Sequence, residues 1–438
     1  MLTKQLAIVL LCTWLTLHHA QGIRGEEELV SLFDGKTLAG WVNVNCAPST
    51  WTVRDGMIYC TGRPFGELRT TRMYQNFVLE LEWRHLQPKG NAGVFVWADA
   101  LPAVGQPFHR AIEVQVEDGL DGPDFTAHGD IFPIHGATMK PKNDRGGSRA
   151  FPTELRSKPS PEWNHYRITC NDGAIQLAVN GKVVTSGSEC SPRKGYICLE
   201  SEGSPVEFRN FRIKELPNSP ISDENIATTD QAFTSLYTGV DLAGWQVHKG
   251  LVGHWQPADW TLKYDGQAER DPKDLWTQDS FGDFELIVDW RWNGNYEKTT
   301  KQPVVLPNGD YEKNSDGSNK EIDVPKADSG IFLRSDVAQV NIWQWPIGSG
   351  EIWDVRTNGA LSPEMRAAAT PKIKADEPVG QWNRFHITLR GEKVTVVLNG
   401  KTVITECPVP GVPPKGPIGL QHHGDPLEFA NIFVRRLD

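Results

Sequence analysis

Long apolar runs and basic residues are scarce in the sequence, and each shortage excludes a class of protein. After its first twenty residues it lacks an apolar run that could cross a bilayer, which takes about 20 residues as a helix, so no membrane span is expected. Basic residues are in deficit, with 45 Lys and Arg against 55 Asp and Glu. The resulting net charge of −10 argues against nucleic acid or an anionic membrane surface as a partner.

Cysteine patterns for a zinc site are also missing. The sequence contains neither a C-x-x-C pair nor a Cys/His cluster with zinc spacing. Apart from Cys12, which lies in the N-terminal segment, six cysteines remain, and an even number permits disulfides in an exported protein. The pairs Cys46–Cys60 and Cys170–Cys198 are the first candidates.

Residues 1–20 have the pattern of an export signal. Lys4 supplies a positive charge, the apolar core LAIVLLCTWLTL follows, and Ala20 offers a small residue at a cleavage point. We therefore expect the mature protein to be secreted or periplasmic.

The chain carries one unit twice. LVSLFDGKTLAGWVNVN at 29–45 aligns with FTSLYTGVDLAGWQVHK at 233–249, NAGVFVW aligns with DSGIFLR, and LESEGSPVEFRNFRIKEL aligns with LQHHGDPLEFANIFVRRL. Landmarks that recur in the same order indicate a tandem duplication. We predict a first unit at 29–216, a linker rich in Pro, Ser, Asn and Asp at 217–231, and a second unit at 232–438.

In both units the local pattern is typical of β-strands. FVLELEWR and FELIVDWRW alternate apolar and polar residues, and IQLAVNGKVV and VTVVLNGKTV place an Asn-Gly turn between two strands. Helical periodicity is missing except in SPEMRAAA at 362–369. The predicted fold class is all-β, with two β-sandwiches or jelly rolls in tandem.

The ordered motifs LFDGKTLAGW, GVFVW, EVQVED, EWNHYRITC, LAVNGK and VEFRNFRIKEL resemble those of the 3-keto-disaccharide hydrolase family, over nearly all of both units. The resemblance implies a concanavalin A-like jelly roll for each unit and an exported bacterial protein. It also implies cleavage of glycosides whose sugar carries a ketone at C3, by hydrolysis or by elimination followed by hydration.

That chemistry defines what a site must contain. A ketone at C3 acidifies the hydrogen on C2, so a base can remove it, and the enolate then expels the group on C1. The site needs a base, an electrophile for the enolate oxygen and an acid for the leaving oxygen. In the second unit His423 and Glu351 are the acid/base candidates, and Arg334 or a divalent metal ion is the candidate electrophile. Alternatively, His423 caps a turn, Glu351 is a solvated loop acid and Arg334 pairs with a carboxylate.

Further side chains of the second unit are expected to bind the substrate. Gln421 and His422 stand in LQHHG, where the family has LQDHG, and Asn341 stands in AQVNIW. Three tryptophans near Glu351 have no counterpart in the first unit, and they are either a platform that stacks on a sugar ring or a locally packed loop. They are Trp343, Trp345 and Trp353.

The first unit keeps one part of the family pattern and changes another. EVQVED retains Glu113, a catalytic candidate, and Gln115, whereas LESEG puts Glu200 where Gln is expected and Glu202 where His is expected. Residues two apart share one face of a strand. We expect these four side chains to bind substrate on a concave sheet face. Alternatively, they lie on a solvent-exposed outer face, or Glu200 and Glu202 bind a cation.

Two other segments are alternative metal sites. His109, His128 and His135 lie in one long connection with Asp130, and DGSNKEIDVPKAD at 316–328 has the composition of a calcium loop without its spacing. No cofactor other than a divalent metal ion is expected.

Three functions remain open on the sequence alone. The favoured one is an exported enzyme that cleaves 3-keto-glycosides in its second unit. The second is a non-catalytic, lectin-like carbohydrate-binding protein, which the loss of one family feature in each unit supports. The third is an interaction scaffold without a ligand. The expected partner is a carbohydrate, and the sequence does not predict the oligomeric state.

Overall fold

The structure, a computed structural model, describes residues 29–118, 129–267, 274–294, 296 and 299–437. The predicted export signal at 1–20 and His128 lie outside these residues. Regular structure in the described ranges is almost entirely β, and no helix there is long and apolar enough to cross a membrane. The predicted fold class is confirmed, since the chain forms two jelly-roll sandwiches in tandem.

The first unit is built from fifteen strands among its described residues. In chain order they are β1 (Val30–Ser31), β2 (Trp41–Val44), β3 (Trp51–Arg54), β4 (Met57–Cys60), β5 (Gly66–Thr70), β6 (Phe77–His85), β7 (Asn91–Ala98), β8 (Ala111–Glu117), β9 (Ile131–Ile134), β10 (Thr138–Pro141), β11 (Asn164–Asn171), β12 (Ala174–Val179), β13 (Lys182–Ser191), β14 (Tyr196–Ser201) and β15 (Val206–Glu215). A nine-stranded back sheet has the order β10-β13-β12-β11-β6-β15-β4-β3, with β1 also paired to β15. A six-stranded site sheet has the order β2-β5-β14-β7-β8-β9.

The second unit repeats this plan, and thirteen of its described strands form the two sheets. Its described residues contain fifteen strands in all. They are β16 (Thr234–Ser235), β17 (Trp245–Gln246), β18 (Trp255–Ala258), β19 (Thr261–Tyr264), β20 (Leu275–Thr277), β21 (Phe284–Trp292), β22 (Thr299–Pro303), β23 (Glu321–Pro325), β24 (Asp328–Leu333), β25 (Gln339–Trp343), β26 (Asn383–Arg390), β27 (Lys393–Leu398), β28 (Lys401–Pro408), β29 (Ile418–Leu420) and β30 (Leu427–Arg436). Its back sheet has the order β18-β19-β30-β21-β26-β27-β28, with β16 on β30, and its site sheet has the order β17-β20-β29-β24-β25. Strands β22 and β23 pair separately, and two helices, α1 (Trp353–Arg356) and α2 (Pro363–Ala368), follow β25.

Each unit buries its own core between its two sheets. Leu79 of β6 and Val114 of β8 lie in the core of the first unit, and Val288 of β21 and Val340 of β25 lie in the separate core of the second. Burying a side chain of this size fully contributes about 1.5–3 kcal/mol, so the alternation of apolar residues decides which face of each strand points inward. On each strand of a site sheet, the residues that alternate with the core residues point to the outer face of that sheet.

Local turns show the same duplication. In the first unit Asn180 and Gly181 have φ of 46° and 87°, and in the second Asn399 and Gly400 have φ of 49° and 76°. Two successive left-handed residues form the type I′ turn that favours Asn-Gly, which matches the predicted hairpins.

The segment predicted as a linker lies along the first unit. Gln75 Nε2 donates to Ser219 O at 2.7 Å, and Ala227 N donates to Lys194 O at 2.8 Å. Within it, a single 3-10 turn spans Asp223–Asn225.

One of the contacts between the two units is made by residues 102–106 of the first, which we term the joining loop. Gly105 N donates to Asp289 Oδ2 of the second unit at 2.8 Å, and Asn431 Nδ2 donates to Ala103 O at 3.2 Å. A Cβ on Gly105 would lie 2.1 Å from Cγ of Trp382, so only glycine fits there.

The cysteine pairs proposed from the sequence do not form. All six cysteines among the described residues are buried, unpaired thiols. Burial raises the pKa of Cys46 and of Cys170, so both thiols stay protonated. The hydrophobic cores, rather than disulfides, hold each sandwich together.

Candidate functional site

In the second unit, three neighbouring strands of the site sheet carry most of the predicted site. Strand β24 lies between β25 and β29, with Gly330 opposite Asn341 and Phe332 opposite Gln339. Gln421 N donates to Gly330 O at 2.9 Å, just beyond β29. Val340 of β25 and Ile331 of β24 point into the core. Their neighbours along each strand, which include Gln339, Asn341 and Gly330, therefore share the outer face of the sheet.

These side chains line one pocket of about 160 Å³, which has room for a single sugar ring. Four predicted site residues come together in it, and two further residues complete it. The lining consists of Asn341, Trp353, Gln421 and His423, together with Asp328 and Gln339.

His423 pairs with Asp328 at this pocket. Nδ1 of the imidazole lies 3.7 Å from Oδ2 of the carboxyl group, and the two side chains are 49% and 31% exposed. Burial raises the pKa of Asp328 to about 6, with the His423 charge acting against the rise and the Asp425 carboxylate adding to it. A carboxyl group with this pKa populates both protonation states near neutral pH, as acid/base chemistry requires.

Amide side chains form the floor of the pocket. Gln339 Nε2 donates to Gln421 Oε1 at 2.7 Å, which leaves the NH2 group of Gln421 to donate to a ligand. Asn341 is buried, and its Oδ1 has no hydrogen-bond partner among the described residues. An unsatisfied buried acceptor is costly, so a ligand hydroxyl group that donates to it would bind well.

Glu351, expected as an acid or base, does not line the pocket. Its fully buried carboxylate forms an ion pair with Arg356, and Oε2 accepts from Asn341 Nδ2 at 3.3 Å. Glu351 therefore lies behind Asn341, where it orients the amide. The backbone shows that it does match Asp130, because Asn341 N and Gln115 N donate to the carbonyl groups of Glu351 and Asp130, each at 2.9 Å.

Arg334, expected as the electrophile, is placed elsewhere. It lies directly after β24, at the opposite end of that strand from Asp328. Its buried guanidinium donates to Gly282 O at 2.8 Å and to Asp283 Oδ1 at 2.7 Å. It also donates to the carbonyl oxygens of Gly391 and Pro413. All these bonds tie loops to the sheet end, so Arg334 has a structural position and its side chain does not reach the pocket.

The predicted tryptophan platform is mostly a packed cluster. Trp343 and Trp345 are buried and stack with ring centroids 3.8 Å apart, and Trp353 meets both edge-on. Trp343 Nε1 also donates to Gly348 O at 2.6 Å. Two of the three rings are therefore core, and Trp353 alone of the three reaches the pocket.

His422 points away from its neighbour His423. Its ring packs edge-on against Tyr264 with centroids 5.2 Å apart, and burial lowers its pKa. His422 therefore does not line the pocket with His423.

The equivalent face of the first unit carries carboxyl groups. Glu200 lies opposite Glu67 on β14 and β5, and Gly93 lies opposite Gln115 on β7 and β8. A Cβ on Gly93 would lie 2.7 Å from Glu200 Oε2 and 3.0 Å from Glu113 Oε1, so both carboxyl groups reach over this glycine. The structure thus brings together all four residues predicted here, namely Glu113, Gln115, Glu200 and Glu202.

Crowding of these acids changes their protonation. Burial raises the pKa of Glu113 and Glu200, and the neighbouring Glu202 and Glu113 charges raise them further. Burial likewise raises the pKa of Glu202 to about 7 and that of Glu67 to about 8.

A second group beside this face contains different ligand types. Glu67, His109 and Cys198 are buried and bring possible metal-binding atoms within 4.8 Å of one another. His109 does not join Asp130 in the predicted cluster, because its Nδ1 lies 2.7 Å from Asp99 O while Asp130 pairs with Arg149 at 3.0 Å.

Sequence reasoning missed Asp328 and Gln339 in the second unit and Asn91 in the first. The alignment of NAGVFVW with DSGIFLR already placed Asp328 opposite Asn91, two residues before the shared glycine. Each of them contacts the residue that differs between the copies: Asp328 pairs with His423, and Asn91 Nδ2 donates to Glu202. The signal available in the sequence was a polar residue two positions before the shared glycine.

The fold places the chain in the class of jelly-roll proteins, here with a pocket on one sheet face of the second unit. The chain belongs to the family defined by the 3-keto-alpha-glucoside-1,2-lyase-like domain, whose sequence model matches residues 28–214 and again residues 232–435. The resemblance predicted from the motifs is thus confirmed.

Several known proteins are similar to part of the chain. A 3-keto-disaccharide hydrolase of Bacteroides thetaiotaomicron is 26% identical over 239 residues, covering 43% of this chain and 78% of that protein. The crystal structure of a candidate glycosyl hydrolase from Parabacteroides distasonis is 25% identical and covers 42% of this chain and 93% of that one, with a TM-score of 0.34. A carbohydrate-binding module from Bacillus subtilis is 12% identical and covers 40% and 96%, with a TM-score of 0.30.

Proposed function

We propose that this protein is an exported enzyme that cleaves 3-keto-glycosides in the pocket of its second unit. The observation that carries the proposal is the convergence of an acid/base pair, His423 and Asp328, with the amides of Gln421 and Asn341 in one pocket. The family supplies the substrate class, and the pocket supplies the groups that this chemistry needs.

The mechanism uses the groups of the pocket in sequence. His423 removes the proton from C2, and Asp328 stabilises the imidazolium that forms. The negative charge moves to the C3 oxygen, which accepts a hydrogen bond from the NH2 group of Gln421 in the role first assigned to Arg334. The bond from C1 to the leaving oxygen then breaks, a C1–C2 double bond forms, and the imidazolium returns its proton to the leaving oxygen. Addition of water across that double bond completes the overall hydrolysis.

Binding follows from the rest of the lining. Asn341 Oδ1 accepts from a sugar hydroxyl group, and the half-buried ring of Trp353 packs against an apolar sugar face. The pocket holds one ring, so the leaving group extends toward solvent and its identity is weakly constrained.

The test compares p-nitrophenyl 3-keto-glucosides, in both anomers, with their unoxidised parents. We expect release of p-nitrophenol from a keto compound alone, and a fall in kcat of at least about 100-fold in His423→Ala and Asp328→Asn. His386→Ala is the matched control, because His386 lies on the back sheet and pairs with Glu285 at 3.0 Å. That variant should keep the activity of the wild type.

Two results would overturn the proposal. Saturable binding of the keto compounds without turnover would assign the protein to the lectin-like alternative. Turnover that survives His423→Ala would move the reaction out of this pocket.

A further inference from the structure

The outer face of the first unit's site sheet holds more buried negative charge than its neighbours neutralise. Glu67, Glu113, Glu200 and Glu202 face it from β5, β8, β14 and the residue after β14. The nearest basic side chains are engaged: Arg149 pairs with Asp130 at 3.0 Å, and Arg69 pairs with Asp230 at 2.8 Å. Buried carboxylates without a counter-charge are expensive, so this face must hold protons or a cation.

One oxygen atom in this group is aimed at an open position. Glu200 is 1% exposed, and its Oε2 has no hydrogen-bond partner among the described residues. Glu113 Oε1 approaches the same point above Gly93, where any side chain larger than hydrogen would collide with both oxygens. The glycine thus preserves a space between two converging carboxyl groups.

A chain of amides orients a third carboxyl group toward this space. Gln115 Nε2 donates to Asn91 Oδ1 at 2.5 Å, and Asn91 Nδ2 donates to Glu202 Oε2. Glu202 is half-buried, whereas Glu113 and Glu200 are buried, so the group opens to solvent on the Glu202 side. In metal sites of proteins, the ligating side chains are typically oriented by such hydrogen bonds from neighbouring residues.

We propose that a hard divalent cation such as Ca²⁺ binds between Glu113, Glu200 and Glu202 on the first unit. Carboxylate oxygens are the ligands that Ca²⁺ and Mg²⁺ prefer, and three carboxyl groups meet here from β8, from β14 and from the residue that follows β14. The inference concerns a different unit from the proposed reaction and does not depend on it.

The adjacent Glu67, His109 and Cys198 group favours a softer ion by ligand type, but its geometry does not suit one. His109 Nδ1, the nitrogen nearest to the other two ligands, lies 2.7 Å from Asp99 O and 3.9 Å from Cys198 Sγ. A nitrogen that donates its proton to a carbonyl group has no lone pair for a metal. We therefore place the cation at the three carboxylates.

The experiment uses the chelator-treated full chain at pH 7.5, titrated calorimetrically with Ca²⁺, Mg²⁺ and Zn²⁺ in turn, with thermal unfolding measured in parallel. For the wild type we expect one Ca²⁺ or Mg²⁺ site per chain and a rise in Tm. Glu200→Gln should bind that ion at least about tenfold more weakly, while its Tm without the ion equals or exceeds that of the wild type, because a buried charge has been removed. That last readout separates loss of a ligand from loss of folding.

Two further variants locate the ion. Asp316→Asn removes a carboxylate from an exposed loop and should leave binding unchanged, since Asp316 only accepts from Ser318. Cys198→Ser should likewise keep Ca²⁺ or Mg²⁺ binding. Absence of a response to either ion in the wild type, unchanged affinity in Glu200→Gln, or a Zn²⁺ response that Cys198→Ser abolishes in a protein indifferent to Ca²⁺ would each overturn the proposal.

Discussion

Glu202 and His423 occupy equivalent places in the two units, just beyond the ends of β14 and β29, and each is held by the residue two positions before the shared glycine. In the first unit Asn91 donates to a carboxyl group, and in the second Asp328 faces an imidazole. A carboxyl group among other carboxyl groups favours a cation or a proton, whereas an imidazole beside a carboxyl group favours proton transfer. One exchange of residue type at a fixed position therefore gives the two faces different chemistry.

The raised pKa of Glu202 predicts a loss of stability with rising pH. Its pKa is about 7 in the folded protein and about 4.5 when unfolded, so the folded state holds the proton more tightly. In the presence of chelator, the contribution of Glu202 to stability is complete below pH 4.5 and falls as pH rises toward 7. Glu202→Gln lacks this loss and should be more stable than the wild type by about 1–3 kcal/mol at pH 8, with no advantage at pH 4. Urea unfolding at several pH values measures the difference.

Glu154 provides a control for that measurement, because its pKa shift has the opposite sign. Lys182 and Arg156 donate to its carboxylate and lower its pKa. Glu154→Gln should therefore gain nothing at pH 8. If both Gln variants were equally stabilised at pH 8, burial of Glu202 would not be the cause.

The six buried cysteines should behave as inert thiols. Burial raises the pKa of each one, for example that of Cys60 to about 11, so little thiolate exists at pH 8. We expect iodoacetamide to leave all six unmodified in the folded protein and to alkylate all six after denaturation without reductant, as peptide mass spectrometry would show. Peptides joined by a disulfide, or alkylation before denaturation, would contradict this.

At the scale of elements, β24 carries two different tasks at its two ends. Asp328 at its start lines the pocket, and Arg334 after its end fastens Gly282, Gly391 and Pro413 through their carbonyl oxygens. Arg334 has φ of 65° at this turn, and Trp97 has φ of 57° at the matching point of the first unit, where β7 has a register shift. The arginine belongs to this turn rather than to the reaction.

Arg334→Ala should consequently lower stability and spare activity. Removing a buried guanidinium takes this donor from three carbonyl groups and leaves Asp283 with Gly391 N alone of its two donors, and we expect the free energy of unfolding to fall by about 2–4 kcal/mol. At a temperature where the variant is still folded, kcat/KM should stay within about twofold of the wild type. His423→Ala should show the reverse pattern, and loss of activity in folded Arg334→Ala would return Arg334 to the reaction.

For the whole molecule, the sequence predicted the duplication and the all-β class because both depend on local signals. Period-two alternation along FELIVDWRW and the Asn-Gly turns are set by neighbouring residues, and they recur in order. The partners of Glu351 and Arg334 were not predictable in this way. Glu351 meets Arg356 five residues later through the short helix α1, which no helical pattern in the sequence indicated. Arg334 meets carbonyl groups from three separate loops, so its bonds depend on how distant segments pack.

The joining loop predicts that the two units unfold together. Asp289 is fully buried and accepts hydrogen bonds from Gly105 N, from Arg384 Nε at 2.6 Å and from Asn431 Nδ2 at 2.7 Å, so one carboxylate ties the first unit to two strands of the second. The wild type should show a single cooperative transition in scanning calorimetry. Asp289→Ala removes the carboxylate that pairs with the partly buried guanidinium of Arg384 and should cost about 2–4 kcal/mol, separating the transition into two.

A second variant distinguishes loss of the contact from damage to the second unit itself. Gly105→Ala leaves Asp289 and Arg384 intact but drives a methyl group into Trp382 and strains the joining loop at φ 63°, so it disturbs the approach of the two units without removing a side chain of the second. It should also separate the transitions, while the second unit retains its own melting temperature. Asp265→Asn, which removes an exposed partner of His254, should keep the single transition. If Gly105→Ala unfolded in one step at the temperature of the wild type, the two units would be stable without this contact, and their linkage would have to come from elsewhere in the chain.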